Sequence, residues 1–191
     1  MIEHNGKMYA RVSEIIKPFV DFSHIDPEVL NRKAALGTRV HAAIHEEIEG
    51  GMPVLPRQEA GYFQSWIQWR DITCPYFEKS EVRIFNEEKR ITGCVDALVG
   101  WDRSVTLTLC DWKTAVCESP TWVMQAHLYW FLLKGDKYPV HDRFVFLRLD
   151  KSGGLPKVHQ YVLDLRILQK CMKAIDDFWH KNEQNVYINP L

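Results

Sequence analysis

Hydrophobic and polar positions divide this chain into segments of two periods. Asp26-Pro27 pairs an N-cap residue with proline at the first helical position. The pattern behind it predicts a helix over Pro27–Glu49, stopped by Gly50-Gly51. A second helix is predicted over Pro56–Asp71, with Phe63, Trp66, Ile67 and Arg70 on one face. Period-two runs follow. Glu81–Asn86, Ile91–Trp101 and Val105–Lys113 read as a three-strand meander, joined by polar turns at 87–90 and 102–104. Ser119-Pro120 opens a helix that runs to about Lys134, near Gly135. Arg143–Leu149 and Lys157–Leu163 are two more strands around a Ser152-Gly153-Gly154 turn. Asp164 caps a last helix with the stripe Leu168, Cys171, Met172, Ile175 and Trp179. The order α-α-β-β-β-α-β-β-α predicts an α/β (α+β) fold with a mixed central sheet flanked by helices. At 191 residues the expectation is a single domain, residues 1–191.

One strand carries charge where core is expected. Val105, Leu107, Leu109, Asp111 and Lys113 alternate, so they share one face. An unpaired charge on that face is costly to bury, so both residues need partners. Asp96 lies in the neighbouring strand, within Gly93-Cys94-Val95-Asp96, and can approach Asp111. Two carboxylates ~4 Å apart repel by about 4 kcal/mol at an effective dielectric of ~20. Without a cation one of the two pKa values rises. A hard divalent ion, Mg²⁺ or Mn²⁺, removes the conflict. Lys113 is then placed to orient water and offset charge at phosphorus. A plain buried Asp–Lys ion pair explains the same residues equally simply.

Other features weigh on that choice. His41 sits in a helix before the sheet and Glu81 at the start of the first strand; Gln125 and Tyr129 share a helical face at i, i+4. Taken in order, Gly37-Thr38-Arg39-Val40-His41, Glu81, Gly93-Cys94-Val95-Asp96, Asp111-Trp112-Lys113-Thr114 and Gln125-Ala126-His127-Leu128-Tyr129 resemble the PD-(D/E)XK nuclease superfamily, within it the RecB-like exonuclease branch. Arg11–Ile16 resembles the entry segment of that branch, and the likeness spans roughly residues 10 to 163.

The resemblance implies a restriction-endonuclease-like αβββαβ core and a metal-dependent DNA nuclease, an exonuclease more than an endonuclease. It implies His41, Asp96, Asp111 and the Trp112 carbonyl as ligands of Mg²⁺ (or Mn²⁺). Asp96, Asp111, Lys113 and Glu81 form the implied catalytic set, Lys113 positioning the attacking water and Glu81 lying beside the metal. Gln125 and Tyr129 are implied to line the DNA path and hold the active-site strand, with Thr114 at a phosphate. The cysteine pattern of iron–sulfur-bearing members is absent, so no such cluster is expected. The alternative class is a non-catalytic nucleic-acid-binding or assembly subunit that keeps the fold. A structure-specific endonuclease would share the chemistry and differ in substrate.

Composition constrains this only loosely. A net charge of −1 announces no global basic field for a polyanion. DNA, as ends or single strands, is the expected partner, with a second copy or a recombination or replication protein as further candidates. Phosphate contacts are available from Arg32, Lys33, Arg39, Arg83, Lys89 and Arg90. Seven tryptophans serve as core or as base-stacking platforms; of Tyr62, Trp66 and Trp69, Trp69 reads as the most open. Five cysteines without a CxxC pair read as small buried hydrophobes in a reducing compartment. No apolar run approaches the ~18 residues of a membrane span. The N-terminus lacks the apolar core of a secretory signal. The expected location is cytoplasmic, in a bacterial or phage-encoded setting, with a mitochondrial one also compatible.

Overall fold

A computed structural model describes residues 1–101, 105–136 and 138–188, with side chains described up to residue 182. The element order is β1 (Ile2–His4), β2 (Lys7–Arg11), α1 (Val12–Ile16), a 3₁₀ turn (Lys17–Phe19), α2 (Pro27–Ile48), α3 (Arg57–Thr73), β3 (Tyr76–Asn86), β4 (Ile91–Gly100), β5 (Leu107–Lys113), α4 (Thr121–Lys134), β6 (Val140–Arg148), β7 (Lys157–Val162) and α5 (Leu165–Ile188). The mixed sheet flanked by helices expected from the pattern is present. No helix among the described residues is long and apolar enough to cross a membrane.

The predicted elements recur with shifted ends. Asp26 does cap α2, accepting from the Glu28 N–H at 2.7 Å. The elements before α2 escaped the pattern. The β1–β2 hairpin turns at Asn5-Gly6, both at positive φ (49° and 71°). This Asn-Gly pair, between two short strands, is the signal that marks such a turn. Strand β3 begins at Tyr76, five residues before its predicted start, and β5 begins at Leu107, leaving Val105 exposed. The predicted turn at 102–104 lies outside the described residues.

The sheet order is β1-β2-β4-β5-β6-β7, with β3 on the other edge of β4. The three-strand meander is antiparallel, while β2–β4 and β5–β6 are parallel pairs. One apolar cluster joins α1, α4 and α5 to one sheet face; it includes Leu107, Leu109, Leu128 and Ile175. The second joins α2 and α3 to the other face; it includes Ile44, Trp66, Trp69, Cys110 and Trp112. Trp69 is therefore core, 6% exposed, with its ring centroid 5.6 Å from that of Trp112. Tyr62 and Trp66 are buried as well. The cysteines depart from expectation. Cys110 and Cys171 are buried and Cys94 is half-buried, whereas Cys74 and Cys117 are exposed.

Strands β2 and β5 share one edge of β4 without meeting on it. Strand β2 pairs with Ile91 and Thr92, and β5 with Ala97, Leu98 and Val99. Residues 93–96 lie between those pairings, and the candidate site forms there. Gly93 is required in this gap, because a Cβ on it would lie 2.6 Å from Tyr129 Cε1 of α4.

Candidate metal and nucleic-acid site

Two backbone irregularities assemble the site. In a regular strand successive side chains point to opposite faces. Ser80 and Glu81 break this rule: Ser80 Oγ lies 2.6 Å from His45 Nδ1 on α2, and Glu81 groups with His41 on the same helix. The cause is Glu81 itself, at φ 50° in mid-strand. A left-handed conformation at a non-glycine residue costs about 1–2 kcal/mol, and such strain gathers at functional sites. Across the ladder, Asp96 and Ala97 repeat the break. Asp96 Oδ1 lies 3.2 Å from His41 Nδ1, and Ala97 belongs to the same α2–α3 cluster. Facing distortions in β3 and β4 thus turn two acids toward one histidine. His41, Glu81 and Asp96 each offer a ligand atom within 4.8 Å of the others.

Asp96 also bridges to β5. Its Oδ2 accepts the Trp112 N–H at 2.7 Å, taking the place of a ladder bond at the gap. The Trp112 ring points to the α2–α3 face, while Asp111 and Lys113 alternate with Leu107 and Leu109 onto the α4 face. Lys113 Nζ lies 2.5 Å from Asp111 Oδ2 and donates to Gln125 Oε1 at 2.8 Å. Gln125 Nε2 in turn donates to the Tyr129 hydroxyl at 2.9 Å. Tyr129 is buried, so it reaches the site through Gln125 rather than from an open wall. Thr114 packs against Gly37: a Cβ on that glycine would lie 3.2 Å from Thr114 Oγ1.

The electrostatics are those of a site under compression. Burial, then the field of Asp96, raises the Asp111 pKa to about 7. Burial opposes charge on His41, but Asp96 outweighs it and raises that pKa to about 9. Asp96 is itself buried, yet His41, Lys113 and the Trp112 N–H pull its pKa below the ordinary carboxylate value. Asp111 Oδ2 is buried, and the Lys113 ammonium is its charged partner.

No family model matches this sequence, and no curated protein matches it. The crystal structure of LHK-Exo in complex with dAMP matches with a TM-score of 0.55 at 12% identity, over 94% of this chain and 90% of that one.

The two share a fold, here a mixed sheet flanked by helices.

The donor set fits a hard or borderline divalent cation. Imidazole and carboxylate oxygens within 4.8 Å span roughly twice a metal–oxygen bond of ~2.1 Å. A buried acid with a raised pKa stands beside that trio. The sequence-based ligand set was His41, Asp96, Asp111 and the Trp112 carbonyl. The structure groups His41 and Asp96 with Glu81 and places Asp111 against Lys113. Of the candidate phosphate contacts, Arg39 pairs with buried Glu59, Lys89 lies 3.5 Å from Asp176, and the Arg90 guanidinium sits 4.0 Å from the Trp179 ring centroid. Arg32 and Lys33 line a groove on α2.

A cleft of 860 Å³ opens from this centre. His41, Lys113, Thr114 and Gln125 line it on one side. Phe19, Val20, Asp21, Phe22 and Ile25 line it too, and no motif pointed to that segment. Its paired phenylalanines, Phe19 and Phe22, in a stretch without helix or strand period, were the signal available.

Gln125→Leu should remove the group that fixes Lys113 without touching the acids. If the site cleaves a substrate, the expected result is a loss of kcat of about 10–100-fold with little change in KM, the range for losing a supporting hydrogen bond. Steady-state cleavage kinetics would check it, and an unchanged kcat would place Gln125 outside the mechanism.

Proposed function

We propose that this protein is a divalent-metal-dependent deoxyribonuclease of the PD-(D/E)XK superfamily, in its RecB-like branch, acting as an exonuclease. The observation that carries the reading is the convergence at the β4–β5 gap. His41, Glu81 and buried Asp96 group there, and buried Asp111, held against Lys113, feels the charge of Asp96. An ion pair kept for stability alone would not need a second buried carboxylate, a histidine and a strained glutamate. The nuclease-like fold supports the reading, and LHK-Exo was solved with a nucleotide, dAMP.

His41, Glu81, Asp96 and Asp111 would hold Mg²⁺ or Mn²⁺, with the Trp112 carbonyl as a further donor. Bound there, the cation would polarise the phosphate and make water a nucleophile near neutral pH. The protein supplies the rest. Lys113, fixed by Asp111 and Gln125, orients the attacking water and offsets negative charge at phosphorus. Tyr129 holds Gln125 in that pose. Thr114, at the mouth of the cleft, is placed to meet a phosphate oxygen.

End-labelled linear single- and double-stranded DNA, circular DNA and RNA should be incubated with Mg²⁺, Mn²⁺ or EDTA. Metal-dependent release of nucleotides from linear DNA, with circles intact, is the expected result. Cutting of circles would make it an endonuclease. Binding without cleavage in either metal would replace the enzyme by a binding subunit.

A further inference from the structure

One wall of the cleft has a use that the catalytic residues do not explain. Among the described residues, the exposed Phe, Trp and Tyr side chains are Phe19, Phe22 and Tyr76, at 49%, 47% and 37% exposure. Two of these three line the cleft that also holds His41 and Lys113. The tryptophans that seemed available for stacking are instead in the core. Phe19 and Phe22 belong to a thin ridge: behind it a second cleft, of 820 Å³, runs between the same segment and α5. The rings border both openings and are about half exposed.

Charge says what could bind there. Lys33 and Lys113 on the cleft wall are offset by Asp21 and Glu118, and the whole chain is at −1. Affinity for a nucleic acid that rested on phosphates would need many more cations. Aromatic faces bind bases of any sequence by stacking, without that charge. In a duplex the base faces are already stacked on one another, so only an unpaired strand presents them freely.

We infer that Phe19 and Phe22 form a stacking platform for the unpaired bases of a strand end entering the metal site. This rests on the nuclease reading and assigns two residues outside the catalytic set to hold the unpaired end. The strand lies between the ridge and the start of α4, its scissile phosphate facing Lys113. Lys33 contacts a phosphate nearby.

The test uses the full chain in EDTA, so that binding is read without cleavage. Probes are a labelled oligothymidylate, the same oligonucleotide carrying 2-aminopurine, and a duplex closed by hairpins at both ends. Phe19→Ala with Phe22→Ala should weaken oligothymidylate binding by at least about tenfold and abolish 2-aminopurine quenching, given stacking energies per base. Phe19→Trp with Phe22→Trp should restore both, and it carries the test alone if the alanine pair does not fold. The hairpin-closed duplex should bind more weakly than the single strand. Log affinity should fall with log salt at a slope near −1 to −2, since each neutralised phosphate contributes about −0.7 on a single strand.

Unchanged binding in a folded alanine pair, absent quenching in the tryptophan pair, a slope steeper than about −4, or preference for the closed duplex would overturn the platform. Metal-dependent cleavage of the oligonucleotide by the unmodified protein is scored separately. Cleavage with an unaffected alanine pair removes the platform and leaves the nuclease standing. Neither binding nor cleavage by the unmodified protein removes both.

Discussion

Asp111→Asn is expected to give a folded protein that no longer cuts DNA, with a rate loss on the order of 10³-fold or more. Asparagine keeps the shape of the side chain, but removes the charge that would bind a cation and that pairs with Lys113. The same change should stabilise the metal-free protein. Asp111 is buried beside Asp96, and its pKa of about 7 measures how strongly that place resists a second negative charge. At pH 8 the native carboxylate is ionised and repelled, whereas the amide is neutral. Thermal melts in EDTA at pH 8 should therefore place Asp111→Asn above the unmodified protein, while cleavage assays in Mg²⁺ show it inactive. A purely structural Asp111–Lys113 pair predicts the reverse: breaking it leaves Lys113 short of a partner and lowers the melting temperature. Lower stability with full activity would end the metal-site reading.

Metal should stabilise the protein more at high pH than at low. Asp111 and His41 both hold their protons more tightly in the folded chain than in an unfolded one, at about 7 against 3.8 and about 9 against 6.5. The contribution of Asp111 is fully present below pH ~4 and is lost as pH rises through 7. That of His41 is fully present below ~6.5 and is lost through 9. Asp96 is depressed, so its contribution is present above pH ~4 and is lost only in acid. Between about pH 4 and 9 this site thus makes the metal-free protein less stable as pH rises. A cation needs the same groups deprotonated, so its binding releases protons and tightens with pH. With Mg²⁺ or Mn²⁺ at ~100 times its Kd, stabilisation of about 2.7 kcal/mol is expected, or roughly 5–10 °C for a chain of this size. At one fixed metal concentration the shift should be clearly larger at pH 8.5 than at pH 6. Melts with metal and with EDTA across that range would show it, and a pH-independent shift would remove His41 and Asp111 from the ligand set.

Much of the frame was legible along the chain because it follows from local periodicity. The alternation from Leu107 to Lys113 placed Asp111 and Lys113 on the face of Leu107 and Leu109, and the structure keeps them there. The i, i+4 spacing put Gln125 and Tyr129 on one helical face, where they bond to each other. The turn at Asn5-Gly6 was equally local, and its chemistry alone would have located the first hairpin. Trp69 was misplaced because a helix period says which residues share a side, not how deeply a second helix covers them.

The site itself depended on what periodicity excludes. Regular strands would send Ser80 and Glu81, or Asp96 and Ala97, to opposite faces, and no residue type in the sequence announced the left-handed backbone at Glu81. That distortion exists because β3, β4 and α2 pack together and overdetermine it. The gap at residues 93–96, the bond from the Trp112 N–H to Asp96, and the wall at Phe19 and Phe22 likewise arise between elements remote in sequence. By itself the sequence determined which elements form, which faces they bury and which residues carry charge, since those follow from side-chain chemistry and a repeat of two or 3.6 residues. Only the tertiary structure decided that Glu81 joins His41 and Asp96 and that Asp111 carries the raised pKa. Distance and desolvation set those outcomes, and neither exists until the elements pack.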